Sequence, residues 1–168
     1  MKLELKHLAS YLPYELKVLI KEDLFIEYNQ FLEEEQYIEK GVYKLKGITN
    51  GTSYLESGVF LSSENENIGD CFTEIKYIKP ILFPFSSLTK EITINGETFV
   101  PYDKIKEIYP NTPQFTDYIK GWMKYYGIMN SKCEYVCILK LFEWKLDVFG
   151  LIEEGLAEQV TEDFNPYK

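Results

Sequence analysis

Residues 139–158 read LKLFEWKLDVFGLIEEGLAE, a run in which three aromatic residues, a lone aspartate and two glycines interrupt an otherwise apolar, helical pattern. Phe142, Leu146 and Phe149 recur at i, i+4 and i+7, which is the spacing of one helix face. The spacing predicts that these three side chains form a buried stripe. The stretch therefore predicts that the chain ends in packed helices.

Two residues of the same stretch predict where its helical turns begin and end. Asp147 lies between Leu146 and Val148, and an aspartate in that place can cap a following helix by accepting hydrogen bonds from free backbone amides. Gly155 then marks the stop, because glycine readily adopts the left-handed conformation that ends a helix. The alternative for Asp147 is an acid–base group in a pocket, since burial would raise the pKa of its carboxyl group.

Working back from this stretch, the second half of the chain predicts further helices. Ser131 to Glu134 reads SKCE, a capping box that begins the helix leading into the opening stretch. Thr112-Pro113 opens an earlier helix that carries Trp122, and Pro101 opens another. The second half is therefore predicted to be helical, apart from its connecting turns.

The first half predicts mainly strands. EITINGETFV contains Asn95-Gly96, the dipeptide that favours a type I′ turn, and predicts a hairpin with Ile92 and Ile94 opposite Phe99 and Val100. A short helix is predicted over residues 3–11, and an amphipathic helix over Asp23–Lys40, although Leu24–Tyr28 alone also suits a strand. Four other segments predict strands: Leu16–Ile20, Val42–Ile48, Tyr54–Leu61 and Phe72–Leu82.

This order predicts an α+β fold: an antiparallel sheet from the N-terminal and central segments, packed against C-terminal helices. The length of 168 residues, without a Pro/Gly-rich linker, predicts a single domain over residues 1–168.

The charged residues exclude one class of function. All 18 basic residues are lysine, and the formal net charge is −9. Arginine supplies the planar fork that grips phosphate, and specific DNA binding normally needs a positive surface. We therefore expect no specific DNA binding. A DNA mimic is the opposite interpretation of the acidic excess, but Glu33–Glu35 are soon followed by Lys40, a pattern typical of an ordinary solvated surface.

The hydropathy pattern predicts a cytoplasmic protein. No apolar run approaches the roughly 18 residues that span a bilayer, so we expect no membrane insertion. The N-terminal MKLELKHLAS breaks its leucines with charged residues and so lacks the apolar core of a signal peptide.

Metal and catalytic motifs are scarce. Cys133 and Cys137 could share a helix face, but a structural zinc site needs four ligands, and His7 is the only histidine. Cys71, Cys133 and Cys137 are therefore predicted to be small buried residues. The sequence contains no GxSxG, Walker A, GxGxxG or HExxH motif, so no cofactor is expected. We expect His7 to be a partly exposed structural or surface residue rather than a catalytic base.

Aromatic residues are in excess, with 14 Tyr, 11 Phe and 2 Trp. Such side chains can stack on a nucleobase or anchor a partner protein, and they can equally fill the layer between sheet and helices. A neighbouring lysine can hold a phosphate as a point charge. The candidate binding set is Trp122, Tyr125, Tyr126, Trp144, Lys145 and Asp147.

Three segments, in order along the chain, resemble a known family. They are LASYLPYELKVL (8–19), YIKPILFPFSSLTKEI (77–92) and LFEWKLDVFGLIEEGLA (141–157). The family consists of small uncharacterised proteins encoded by phages and prophages of Bacteroides-type bacteria. In that family KPILRPLSDL and WHFDVFGLI are common, so Phe83 stands here in place of an arginine and Lys145 in place of a histidine. The resemblance retains apolar and turn residues, which implies maintenance of the fold rather than catalysis.

The resemblance implies a phage-encoded cytoplasmic accessory protein that acts by non-catalytic binding in host takeover or counter-defence. Its partner would be a host protein, or a small nucleotide-like signal held in the pocket of a homo-oligomer. The alternatives are a carboxylate-dependent enzyme around Asp147 that acts on a nucleotide-like small molecule, and a virion or assembly component.

Overall fold

The structure is a computed structural model that describes residues 2–29, 34–50, 57–63, 69–108 and 132–168. Within these ranges the helices are α1 (Leu5–Ala9), α2 (Pro101–Ile108) and α3 (Lys132–Glu143). The strands are β1 (Lys17–Ile20), β2 (Leu24–Asn29), β3 (Glu34–Ile38), β4 (Gly41–Thr49), β5 (Gly58–Ser63), β6 (Cys71–Glu74), β7 (Ile78–Leu82), β8 (Ile92–Ile94), β9 (Glu97–Phe99) and β10 (Glu158–Gln159). Short 3₁₀ segments lie at Leu12–Tyr14, Ile75–Tyr77 and Phe85–Thr89.

The main sheet has six strands in the order β10-β7-β1-β4-β5-β6. Its neighbouring strands are antiparallel except at one edge, where β10 runs parallel to β7. The predicted α+β class is confirmed, and the prediction of a purely antiparallel sheet is wrong at this edge. The reason is that the chain returns after α3 and lays residues 158–159 beside β7, a long crossover that parallel pairing requires. Packing of the sheet against the predicted C-terminal helices stays a prediction, because residues 109–131 lie outside the described ranges.

Several local predictions are confirmed. The strands β1 and β4 and the helices α1 and α2 lie where the sequence predicts them. The 92–99 hairpin pairs Ile92 with Phe99, and Asn95 and Gly96 have φ values of 52° and 80°. Positive φ at both turn residues defines the predicted type I′ turn. The predicted helix after Thr112 lies outside the described residues.

Two predicted elements are wrong. The segment Asp23–Lys40 is not an amphipathic helix. The alternative for Leu24–Tyr28, a strand, is the one observed, since β2 covers these residues and pairs with β3 as an antiparallel hairpin. Alternating exposure supports this register: Ile38 is buried, whereas Glu35 and Tyr37 are exposed. The predicted strand Phe72–Leu82 is divided by a 3₁₀ turn at Ile75–Tyr77, which separates β6 from β7.

Two clusters of buried side chains form the core. The first unites Tyr11 and the inner side chains of the sheet with Phe142 of α3. The second contains Phe83, Trp144 and Tyr167. Because Phe142 and Trp144 belong to different clusters, the end of α3 lies where the two clusters meet.

Candidate functional site

Three of the six candidate binding residues are described by the structure. Trp144, Lys145 and Asp147 are all buried and lie just after α3. The other three, Trp122, Tyr125 and Tyr126, lie outside the described residues. The described part of the candidate set is therefore a short buried segment.

The end of α3 is a Schellman motif. The Lys145 N–H donates to the Phe142 carbonyl at 3.0 Å, and the Leu146 N–H donates to the Leu141 carbonyl at 2.9 Å. Lys145 has φ 55°, a left-handed conformation in which glycine is the usual residue. The helix therefore stops at Glu143, and the predicted continuous helix face through residues 142, 146 and 149 is wrong.

Lys145 is 6% exposed, and its ammonium is held inside the protein. Nζ donates to the Glu143 carbonyl at 2.7 Å and lies 5.5 Å from the centre of the Tyr167 ring. Burial lowers the pKa of Lys145, while the carboxylates of Glu143 and Glu15 oppose this shift. The lysine thus caps the last carbonyl of the helix that its own backbone ends.

Phe83 and Lys145 lie side by side. The Phe83 N–H donates to the Lys145 carbonyl at 2.9 Å, and the Asp147 N–H donates to the Phe83 carbonyl at the same distance. Phe83 is itself buried in the second cluster. This backbone bridge joins the segment after α3 to the end of β7.

Asp147 caps the next turn. Its Oδ1 accepts the Leu151 N–H at 2.9 Å, and its Oδ2 accepts the Ile152 N–H at 2.8 Å. As predicted, the carboxylate accepts free backbone amides. It differs from a helix N-cap in that these amides lie four and five residues on rather than two or three, and they belong to a turn rather than to a second regular helix. Gly155 ends that turn with φ 70° and donates its N–H to the Ile152 carbonyl at 3.0 Å. The predicted roles of Asp147 as cap and Gly155 as stop agree with this arrangement.

Tyr11 fastens the same segment from the N-terminal side. Its hydroxyl donates to the Leu146 carbonyl at 2.7 Å and accepts the Val148 N–H at 3.2 Å. Burial raises the pKa of Tyr11, so the hydroxyl keeps its proton. The backbone on both sides of Asp147 is therefore held by one side chain from a distant part of the chain.

Trp144 packs in the core. The side chain is 8% exposed, and its ring centre lies 5.4 Å from that of Phe99 in a tilted arrangement. Contact of Trp144 with a partner stays a prediction. In the observed conformation the indole fills the second cluster.

His7 is buried, at 4% exposure, so the prediction of a partly exposed residue is wrong. Its Nδ1 accepts the Glu4 N–H at 3.1 Å at the start of α1, and its ring lies 5.3 Å from that of Phe149. Burial lowers the pKa of His7 below its ordinary value of 6.5, and Lys6 adds to this. The histidine has the structural role that the sequence predicts, inside the protein rather than on its surface.

The stability of the protein is expected to depend on pH through His7. Well above pH 6.5 the imidazole is neutral in both the folded and the unfolded chain. As the pH falls below that value, the unfolded chain binds the proton first, so the free energy of unfolding decreases until the folded-state pKa is passed. The variant His7→Asn keeps an acceptor for the Glu4 N–H and does not titrate. Urea unfolding between pH 7.5 and 5 should therefore show a smaller decrease for the variant, and equal decreases would contradict this role.

Among the described residues, the aromatic side chains with the highest exposed fractions lie on the β2–β3 hairpin, away from the segment after α3. Phe25 is 64% exposed and Tyr37 is 58% exposed, and the two residues are direct cross-strand partners. Directly opposed residues place their side chains about 5 Å apart on one face of a hairpin. The register therefore places both exposed rings on one face of the hairpin, which we call the Phe25–Tyr37 face.

Asp23 lies at the edge of this face. Its carboxylate accepts the Lys40 N–H at 2.7 Å, and this bond is the main cause of the lowered pKa of Asp23. The Asp23 carboxylate in turn raises the pKa of the Tyr37 hydroxyl. A carboxylate therefore lies close to the exposed ring of Tyr37.

The opposite face of the hairpin attaches it to the main sheet. Leu24 and Ile26 pack against the first core cluster, and Ile38 belongs to it. Gln36 Oε1 accepts the Phe72 N–H of β6 at 3.2 Å. Because the inner face is anchored, the aromatic pair is presented on a supported surface.

The sequence does not distinguish the two faces of this segment. Leu24 and Tyr28 are four residues apart, and this spacing shares a face in a helix and also in a strand. Leu24, Phe25 and Ile26 are all apolar, so no alternation of apolar and polar residues marks a strand or separates a buried side from an exposed one. The exposure of Phe25 is therefore known only from the structure.

Within the described ranges, no three His, Cys, Asp or Glu side chains lie together as a metal site would require. Cys71 and Cys137 are buried thiols as predicted, and burial raises the pKa of Cys71 to about 11. No helix among the described residues is both long and apolar enough to cross a bilayer.

Comparison of the chain with models of known families, with curated proteins and with solved structures yields no match.

Proposed function

We propose that the protein acts by binding another protein, and that the Phe25–Tyr37 face is the surface that binds. The observation that carries this proposal is the pair itself, two large aromatic side chains exposed side by side on an anchored hairpin. A single exposed apolar residue is ordinary, whereas contiguous exposed apolar surface is typical of an interface. Aromatic side chains contribute strongly to binding because they bury a large area at a small cost in conformational entropy.

The biological setting is part of the same proposal. The protein is a phage-encoded cytoplasmic accessory protein, and its partner is a host protein that it captures during host takeover or counter-defence. This setting rests on the resemblance of segments 8–19, 77–92 and 141–157 to proteins of phages and prophages.

Two of the binding residues that the sequence predicts, Lys145 and Asp147, have bonding that favours a non-catalytic function. Both carboxylate oxygens of Asp147 accept backbone amides, and Lys145 Nζ is bonded to a carbonyl. Groups held in this way support the fold, and they leave the recognition of a partner to the hairpin.

Capture from a host-cell lysate tests the proposal. The immobilised protein is compared with the double variant Phe25→Ser/Tyr37→Ser and with the control Tyr135→Ser, which removes an exposed aromatic residue of α3. Loss of a central interface aromatic costs about 2 kcal/mol or more, roughly a 30-fold loss of affinity. We expect one stoichiometric partner with the unchanged protein and the control, and its loss with the double variant.

The proposal fails if the same partner is recovered with the double variant, provided that circular dichroism shows both proteins to be folded. A panel of cyclic nucleotides in a thermal-shift assay tests the rival, sequestration of a small signal. A shift of several degrees at saturating nucleotide, without a protein partner, would replace protein capture by sequestration.

A further inference from the structure

Carboxylates border the Phe25–Tyr37 face. Within β3, Glu35 lies two residues before Tyr37 and so points to the same side of the strand. Asp23 directly precedes β2 and Glu39 directly follows β3, and both carboxylates act on the Tyr37 hydroxyl. All three acids are exposed. The face is therefore an aromatic centre with an acidic rim, an arrangement that resembles the apolar core and polar rim of protein interfaces.

The charge around this face decides between possible occupants. Residues 21–40 contain seven carboxylates and two lysines, a net charge of −5 out of −9 for the whole chain. A second copy of the protein would bring the same negative rim against it, and like charges across an interface cost several kcal/mol. A positively charged surface is attracted instead and is steered towards the face during the encounter.

Arginine has the chemistry that matches both parts of the face. Its guanidinium group stacks on aromatic rings and binds carboxylates through two parallel hydrogen bonds. The exposed rings offer the stacking surface, and Glu35 and Glu39 offer carboxylates beside it.

We infer that the partner is a protein with a basic surface, whose arginine side chains stack on Phe25 and Tyr37 and pair with Glu35 and Glu39. This inference rests on the proposed function and adds to it the chemical class of the partner.

Labelled 12-residue peptides provide a direct test with the full-length protein. One peptide alternates arginine with leucine, and a matched peptide carries citrulline, the uncharged isostere, in place of arginine. Fluorescence anisotropy should show the arginine peptide binding at least about tenfold more tightly at 50 mM salt. Its affinity should fall several-fold at 200 mM salt, because screening weakens contacts between exposed charges.

Variants separate the two parts of the face. Glu35→Gln/Glu39→Gln should weaken the arginine peptide about tenfold and reduce its salt dependence, since rim charges act through long-range attraction. Phe25→Ser/Tyr37→Ser should weaken it about 30-fold and leave the salt dependence in place. The control Glu91→Gln/Glu162→Gln changes the net charge by the same amount at exposed residues outside 21–40, and it should alter the affinity less than about twofold.

Each other outcome overturns the inference in a recognisable way. If the arginine and citrulline peptides bind equally, or if neither binds, the inference that the partner has a basic surface is wrong. If capture from lysate still requires Phe25 and Tyr37, the proposed function survives that failure; if capture does not require them, both proposals fall. If Glu91→Gln/Glu162→Gln lowers the affinity for the arginine peptide as much as Glu35→Gln/Glu39→Gln does, net charge alone explains the effect and the inference is wrong. A dimer in sedimentation that Phe25→Ser dissociates would make a second copy the occupant.

Discussion

Replacing Asp147 with alanine is expected to lower the free energy of unfolding by about 3 kcal/mol. The buried carboxylate accepts the Leu151 N–H in a buried bond and the Ile152 N–H in a partly buried one. Each buried amide left without a partner costs about 1–3 kcal/mol, and bonds to a charged acceptor are among the stronger ones. Urea unfolding followed by circular dichroism measures the loss.

Asp147→Asn is expected to lose about half as much, because an amide keeps one acceptor oxygen and presents an N–H₂ group to the other donor. The control Glu153→Ala removes an exposed carboxylate from the same turn and should change the stability by less than about 0.5 kcal/mol. An Asp147→Asn variant as stable as the unchanged protein would contradict the capping role. If that variant also lost turnover of a nucleotide-like substrate, the enzymatic alternative would regain support.

Gly58→Ala is expected to destabilise the main sheet by about 3 kcal/mol. A Cβ placed on Gly58 would lie 2.2 Å from Phe72 Cζ and 2.9 Å from the Thr73 carbonyl oxygen. Phe72 is buried and its ring lies 5.1 Å from that of Phe60, so it cannot move without disturbing its neighbours. Overpacking of a filled site typically costs 1–3 kcal/mol. The midpoint of chemical unfolding measures the effect.

A double-mutant cycle identifies the cause of this loss. Phe72→Leu replaces the ring that the new methyl group meets with a shorter side chain. In that background Gly58→Ala should lower the free energy of unfolding by at least about 1 kcal/mol less. Gly69→Ala is the matched control, since a Cβ at Gly69 meets nothing within 4 Å and φ there is not positive. Strict additivity of the two substitutions would show that Phe72 is not the obstacle.

Local chemistry was sufficient to predict several elements. Asn95 and Gly96 both adopt positive φ without side-chain strain, so the 92–99 hairpin follows from the dipeptide itself. Asp147 and Gly155 are equally local, because each acts on amides and carbonyls within a few residues. The helix starting at Pro101 belongs with them, since the proline ring favours the first helical turn.

Ambiguous hydrophobic periodicity explains why the helices predicted over Asp23–Lys40 and after Glu143 are wrong. The four-residue spacing of Leu24 and Tyr28 suits a helix and a strand equally, and only burial of one hairpin face against the main sheet selects the strand. Residues after Glu143 keep a helical apolar spacing, yet they form turns because Lys145 adopts the left-handed conformation that ends a helix. Glycine is the usual residue in that conformation. A lysine at that position gives no stop signal in the sequence.

The candidate site, like the fold, depends partly on local sequence and partly on tertiary packing. The sequence by itself determined the α+β class, the chemistry of the Asp147 cap and the lack of guanidinium groups, because these depend on composition and on contacts between near neighbours. Tertiary structure alone decided that Lys145 and Trp144 face inward and that Phe25 and Tyr37 face outward. The physical reason is that exposure depends on which face of an element finds a partner to pack against. That partner lies far away along the chain.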